Sequence, residues 1–249
     1  DPVFPAEELG APFDINDSTV TDKRERHVVI EEIRMRKDQP WTKVYNVCNK
    51  NMYTSHPYKR DVIGTPEIIS QVTREDIMEY YQTFYTPENM TTIIVGDFNH
   101  DEILAKVEKE FDFKGRQNAP QNILGIDSPV QETKYIETTS NVNTAYAMFG
   151  WVGPKASNLR DTTCLDLTSI ILGDGTSSRL YQNLIEKLPE PVFNMISSEH
   201  YQFKDGNNFF IQANFKPDKK DDALRLIKEE LAGLLNKKIT DDEFKKATK

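Results

Sequence analysis

Glu25 and Glu32 are the residues of this chain whose type and spacing come nearest to chemistry. On a helix, at ~100° per residue, a spacing of seven leaves them about 20° apart in direction, two turns along one face. Two carboxylates so placed can supply one metal ligand and one supporting or proton-relaying group. The competing explanation is a solvated charged face, because Lys23, Arg24, Arg26, Glu31 and Arg34 surround them. His27 and Glu31 form a second pair at the i, i+4 spacing of a helical metal site, for which an exposed ion pair is the ordinary explanation. The four histidines, His27, His56, His100 and His200, have no mutual spacing that suits a helical ligand pair. A catalytic zinc takes about three protein ligands and a water, and the chain offers Glu32 with nothing obvious beside it. His56, next to Pro57, reads as a loop-packing histidine. The run Gly173 to Arg179 (GDGTSSR) lacks the Lys-Ser/Thr ending of a phosphate-binding loop and follows a helical pattern, so it reads as a turn capping a helix at Ser177. No G-x-S-x-G elbow occurs.

The elements that must position these residues begin with a helix over Thr19 to Lys37, whose apolar stripe is Val29, Ile30 and Ile33 and which Pro40 stops. A second helix, Trp41 to Met52, places Val44, Cys48 and Met52 on one face, with Cys48 as a small core residue. Thr65-Pro66 opens a short helix, Thr73 to Asp76 a longer one reaching about Tyr85, and Asn99 with Glu102 another through Phe111. Between the last two, Met90 to Val95 (MTTIIV) reads as a strand. Phe113 to Gln131 is rich in Gly, Gln, Asn, Ser and Pro and reads as a linker. Beyond it come strands at Lys134 to Thr138 and Thr144 to Val152, then helices at Leu159 to Leu172 and Ser177 to Lys187. Strands at Phe193 to Phe203 and Asn208 to Phe215 flank Asp205-Gly206-Asn207, and a helix at Lys220 to Leu235 precedes the start of one more at Ile239. Trp151, Phe209 and Phe210 fall in strand patterns and read as sheet packing.

Val20-Thr21-Asp22 recurs as Ile239-Thr240-Asp241, and the strand-helix unit Met90 to Phe111 is echoed by Phe209 to Leu235. The simplest reading is an α+β chain built as a tandem repeat of an α/β unit, running from the middle of one copy to the middle of the next. On that reading residues 1–112 are the second half of a first repeat, 113–131 the linker, and 132–249 the first part of a second.

Composition narrows the function classes. The 249 residues carry 31 Lys and Arg against 40 Asp and Glu, a net charge of -9, which gives no electrostatic reason to expect nucleic acid or an anionic membrane as partner. No apolar run reaches the ~18 residues a spanning helix needs, so a soluble protein is expected. Cys48 and Cys164 lie far apart, without the C-x-x-C of a cysteine-based zinc site or the count of a disulfide framework. The opening Asp1-Pro2, without an initiator methionine, implies processing or a boundary within a longer chain.

Several runs taken together resemble a known family: Glu25-Arg26-His27-Val28-Val29-Ile30-Glu31-Glu32-Ile33, His56-Pro57-Tyr58 followed by Gly64, Tyr85-Thr86-Pro87-Glu88-Asn89-Met90, Val95-Gly96-Asp97, and Ser177-Ser178-Arg179-Leu180-Tyr181. The order and content of these runs are similar to the pitrilysin/insulinase family of zinc metallopeptidases, the inverzincins, which include mitochondrial processing peptidase. The resemblance implies tandem units, each a mixed, mostly antiparallel sheet packed on helices. It implies Glu32 as the third zinc ligand and Glu25 as the carboxylate that supports the site, the other two ligands and the general base belonging to an H-x-x-E-H helix. The implied chemistry is hydrolysis of a peptide or unfolded polypeptide by a zinc-activated water.

H-x-x-E-H does not occur in these 249 residues, so the stretch is expected to supply one zinc ligand and scaffold and to be inactive alone. The second repeat, around Asp161 to Gly173, has no His or Glu at ligand positions and is expected to be non-catalytic. Where family members carry an Arg and a Tyr that complete the site, this chain has Ile185 and Phe193, neither a hydrogen-bond donor. A second subunit, in a homo- or hetero-oligomer, or a second half of the parent chain is therefore the expected partner. The cytoplasm or an organelle matrix is the expected compartment. The alternative the resemblance allows is a non-catalytic structural or core-type subunit of a processing or multi-subunit complex.

Overall fold

The computed structural model describes residues 5–17, 19–20, 24–111, 119–120, 127 and 132–249. In chain order its helices and strands are α1 (Ala6–Leu9), α2 (Glu25–Lys37), α3 (Pro40–Met52), α4 (Pro66–Gln71), α5 (Arg74–Phe84), α6 (His100–Glu110), β1 (Ala145–Val152), α7 (Leu159–Gly173), α8 (Arg179–Tyr181), β2 (Phe193–Tyr201), β3 (Asn208–Phe215), α9 (Lys220–Asn236) and α10 (Asp241–Ala247). Helices and one small antiparallel sheet make it an α+β structure. The chain divides into two compact units, one of Asp1–Arg34 with Ile63–Leu124, the other of Met35–Val62 with Gly125–Lys249. Met35–Val62, in the first half of the sequence, thus belongs with the second.

In the first unit local signals set the helices. Thr65 and Thr73 accept hydrogen bonds from the backbone N–H of Ile68 and Asp76, and Asp76 returns a bond to the Thr73 N–H, so the capping box forms with Asp in place of Glu. Asn99 caps α6, yet no residue of α6 is buried. The long helix expected from Thr19 begins instead at Glu25. Asp17 accepts from the backbone and hydroxyl of Thr19, which fixes a turn there and competes with helix. Met90–Val95 forms no strand: it pairs with no described strand, and Ile93 and Val95 are 81% and 92% exposed. A strand needs a neighbour to satisfy its backbone, and the described residues provide none.

The second unit holds the sheet, in the order β1-β3-β2, all antiparallel. Alternation along β3 sends Phe209, Ile211, Ala213 and Phe215 to one face, where they pack with Ile196 and Phe193 of β2, Leu172 of α7, and Ala223 and Ile227 of α9. Phe210 goes to the other face and meets Met52 and Tyr53, with Tyr45, Cys48 and Met148 around them. The central strand is therefore buried on both faces. Each of its large apolar side chains contributes about 1.5–3 kcal/mol, enough to hold a three-stranded sheet that would be marginal alone. Gly150 of β1 lies beneath α3, where a Cβ would come within 2.5 Å of the Met52 Sδ and 2.6 Å of the Cys48 Sγ. Burial pushes the Cys48 thiol up to about 11, so Cys48 is an unreactive core residue. A polar tie joins α3 to β3: the Tyr53 hydroxyl donates to Asn208 Oδ1, and Asn208 Nδ2 donates to Asn49 Oδ1 at 3.2 Å.

Three more sequence expectations are corrected in this unit. Lys134–Thr138 pairs with no strand among the described residues and is exposed. The strand expected to reach Phe203 ends at Tyr201. Beyond it Asn207 Oδ1 accepts from the Phe203 N–H and closes the turn. The helix expected over Ser177 to Lys187 is α8 followed by a π turn at Gln182–Glu186. The repeat motif Ile239-Thr240-Asp241 is a helix N-terminus, with Thr240 and Glu243 forming a capping box for α10. In its partner motif, Thr21 and Asp22 lie outside the described residues, as does most of the linker expected at 113–131.

Candidate metal-ligand helix

Helix α2 carries the two carboxylates on its solvent side. Glu25 and Glu32 are both exposed, while Arg26, Ile30 and Ile33 are buried. Neither carboxylate has a hydrogen-bond or ion-pair partner among the described residues, so both are free to ligate or to support a ligand. The docking of the helix explains their placement. Arg26 Nη1 donates to the Ile69 carbonyl at 2.5 Å and Nη2 to the Gly10 carbonyl at 3.1 Å, and Gly10 holds a φ of 85° that favours glycine.

His27 and Glu31 are drawn to different partners. The His27 ring stacks on Phe13 with centroids 4.4 Å apart, and Arg34 pairs with Glu31 at 2.5 Å. No metal pair forms there. The Phe13 N–H donates to the Ser70 carbonyl and Gln71 Nε2 to the Phe13 carbonyl, binding the N-terminal segment to α4. The cleft of about 450 Å³ beside this segment, lined by Pro12, Phe13, Asp14, Glu67, Ser70 and Gln71 among others, contains neither Glu25 nor Glu32.

His56 is buried and packs in its loop, its Nδ1 accepting from the Tyr58 N–H. Asp127 secures that loop by accepting from the backbone N–H groups of Thr54, Ser55 and His56 and from the Ser55 hydroxyl. Burial alone would raise the Asp127 carboxyl, but these hydrogen bonds bring it down to about 2. Within the run Gly173 to Arg179, residues 174–178 form the turn between α7 and α8: Gly175 has a φ of 69° and its carbonyl accepts from the Ser178 hydroxyl. Arg179 spends its guanidinium on Glu243, at 2.6 and 2.8 Å, and on the carbonyls of Lys237 and Lys238. Phe193 is buried edge-to-face on Phe215 and Ile185 packs against the same core, so neither offers a donor to a reacting group.

One pairing had no signal in the sequence. His200 Nδ1 lies 2.6 Å from Asp166 Oδ1 across 34 residues, with the His200 side chain 1% exposed. Strand alternation could have put His200 on the core face, but only the packing of α7 on β2 brings Asp166 to it.

The donor set decides how far a zinc site fits. Among the described residues no group of three His, Cys, Asp or Glu could hold a metal ion. Glu32 fits as one exposed, unpaired carboxylate ligand. Among the described residues no further ligand stands beside it.

The sequence profile of the family described as the peptidase M16 inactive domain matches residues 71–249. A Mycobacterium leprae protein named as an uncharacterized zinc protease is 31% identical over 229 residues, covering 88% of this chain and 49% of that protein. A protease of solved structure from Helicobacter pylori is 27% identical with a TM-score of 0.70, over 90% of this chain and 54% of that one. A peptidase M16 inactive domain from Pseudomonas fluorescens, 20% identical with a TM-score of 0.79 over 99% of this chain and 56% of that one, shares the fold. The chain spans about half the length of the relatives it matches. With more than two thirds of its residues matched by that profile, the chain belongs to the M16 peptidase family, of which it carries the inactive domain.

Proposed function

We propose that the chain is part of a zinc-dependent metalloendopeptidase acting on peptides or unfolded polypeptides, in which Glu32 is one zinc ligand and Glu25 the carboxylate that supports it. The observation that carries this is the pair of exposed carboxylates on one face of α2, which have no partner among the described residues. Two like charges on one face repel slightly and have no evident use without a cation. The relatives named as zinc proteases support the same reading. Zinc, when bound, supplies a Lewis acid that lowers the pKa of a water to about 7 and polarises a scissile carbonyl. Glu32 donates a hard, anionic oxygen for it. Glu25, two turns away, adds negative charge that favours a cation on this face.

H-x-x-E-H does not occur in the chain, so on this reading its two histidines and general base come from elsewhere in the same protein or from a partner subunit, and these 249 residues are inactive alone. The same reading keeps residues 1–112 and 132–249 as parts of two repeats, the second non-catalytic. In the full-length protein, Glu25→Gln should lower zinc affinity and peptidase activity by about 10–100-fold, the scale of a supporting group, and Glu32→Gln by more. Glu31→Gln, whose carboxylate is already taken by Arg34, should change neither. Full zinc occupancy and activity in Glu32→Gln would end the proposal.

A second reading is favoured by the match to an inactive domain over 71–249: a non-catalytic subunit that keeps the fold inside a larger assembly. A full-length protein that binds no zinc and cleaves no peptide would support it over the first.

A further inference from the structure

We propose that Arg26 is a positioning residue for the Glu25/Glu32 pair: by donating to the Gly10 and Ile69 carbonyls it fixes the rotation of α2 that turns both carboxylates to solvent on one side. The proposal rests on the reading of Glu32 as a zinc ligand. Arg26 is 2% exposed, beside Ile30 at 1% and Ile33 at 3%. At ~100° per residue these three fall within about 60° of one another, and Glu25 and Glu32 lie about 100–120° around the helix from Arg26. The buried stripe therefore determines where the carboxylates point.

Ile30 and Ile33 supply apolar contact, which is non-directional and tolerates some rotation of the helix. The Arg26 guanidinium does not. It is a planar fork of fixed donors, and its two terminal nitrogens reach segments 16 and 43 residues away in sequence. Both acceptors are satisfied together only over a narrow range of helix rotation and translation. Burying a cation carries a desolvation penalty that its hydrogen bonds must offset, so a buried charge is weak evidence of a role in stability. A charged fork on the buried stripe of this helix is thus better suited to setting direction than to adding stability. A group displaced by about 1 Å can cost on the order of 100-fold in a reaction that needs it, and Glu25 is the residue adjacent to the fork.

The test uses the full-length protein with Arg26→Met, which keeps the packing, and Arg26→Lys, which keeps the charge but has a single nitrogen. Zinc affinity, measured by competition with a chromophoric chelator, should fall about 10–100-fold in Arg26→Met and by less in Arg26→Lys. On a fluorogenic peptide kcat should fall while KM stays within about twofold. Hydrogen exchange across residues 29–33 should quicken in both variants at a temperature where circular dichroism shows them folded. Arg26→Met with unchanged exchange at 29–33, or with unchanged zinc affinity where Glu32→Gln has lost zinc, overturns the proposal. Should Arg26→Met not fold, Arg26→Lys decides: unchanged exchange there overturns it equally. Exchange is read without metal, so it stands apart from the ligand assignment. If Glu32→Gln keeps zinc while exchange in Arg26→Met quickens, the ligand reading fails and the orienting role of Arg26 survives.

Discussion

At the scale of single residues, Arg179 makes the most extended charge contact among the described residues. Arg179 binds Glu243 through two nitrogens and also reaches the Lys237 and Lys238 carbonyls, so one side chain closes the C-terminal segment onto the head of α8. The Arg179 hydrogen bond, outweighing burial and helped by the Thr240 backbone, lowers the Glu243 carboxyl from 4.5 to about 2. A carboxylate whose folded pKa is depressed contributes stability that is fully present above its unfolded value. That contribution is lost as pH falls through the folded one. The clasp should therefore weaken between about pH 4.5 and pH 2. Glu243→Gln, which keeps the capping box, should cost about 1–2 kcal/mol at pH 7 from the lost charge-assisted hydrogen bonds to Arg179, and should flatten that part of the pH profile. Urea unfolding at pH 7 and pH 3 measures both, and an unaltered pH slope in the variant would contradict the assignment. Thr73 was legible as a cap because its partner Asp76 stands three residues on. Arg179, 64 residues from Glu243, was not, and neither was the His200–Asp166 pair. Glu25 and Glu32 were legible because a helix converts spacing into direction without any tertiary information.

At the scale of elements, close approach of backbones sets the geometry of the second unit, and two glycines test it. A Cβ at Gly173, the last residue of α7, would lie 2.1 Å from the Ser198 backbone nitrogen. That contact is locked by reciprocal bonds, Ser169 Oγ to the Ser198 carbonyl and Ser198 Oγ to the Ser169 carbonyl. A Cβ at Gly150 would meet side chains and no backbone: the Met52 and Cys48 sulfurs and, at 3.1 Å, the Phe210 Cε1. Gly173→Ala should therefore cost about 3 kcal/mol or more and Gly150→Ala about 1, within the range for overpacked sites. Denaturation midpoints of the two variants decide it, and equal losses would mean that α7 slides freely on β2. Element type was read well from sequence where a cap or a regular apolar pattern marked it, as in α5, α9 and β3. It failed at Gln182–Glu186, where Leu180 and Leu184 are buried and the chain widens into a π turn. No residue type in that run announces a turn one residue wider than α.

At the scale of the whole molecule, the strands that formed and those that did not differ in one respect: whether a neighbour exists among the described residues. Asn208–Phe215 lies between two strands and is buried, whereas Met90–Val95, with comparable β-forming content, pairs with nothing. Helix α6 formed with no buried residue, since its hydrogen bonds are internal and Asn99 caps it. Sequence pattern thus specifies a helix by itself but specifies a strand only as half of a pair, and this chain covers about half the length of its relatives. The consequence is an aggregation hazard. Ile93, Ile94 and Val95 expose 81%, 41% and 92% of their surface in a six-residue run without charge or proline, the composition that templates strand addition between chains. These 249 residues, produced alone, should self-associate at micromolar concentration, and Ile93→Lys with Val95→Lys should reduce it by placing like charges on the pairing segment. Sedimentation velocity and dye binding to exposed apolar surface measure the change, with far-ultraviolet circular dichroism expected to be unaltered because the segment contributes no strand. A chain that already sediments as a monomer without binding dye would show that the run is not adhesive. Association that persists unchanged in the double variant would place the adhesive surface elsewhere, with Val62 at 102% and Leu235 at 89% exposure the next positions to charge.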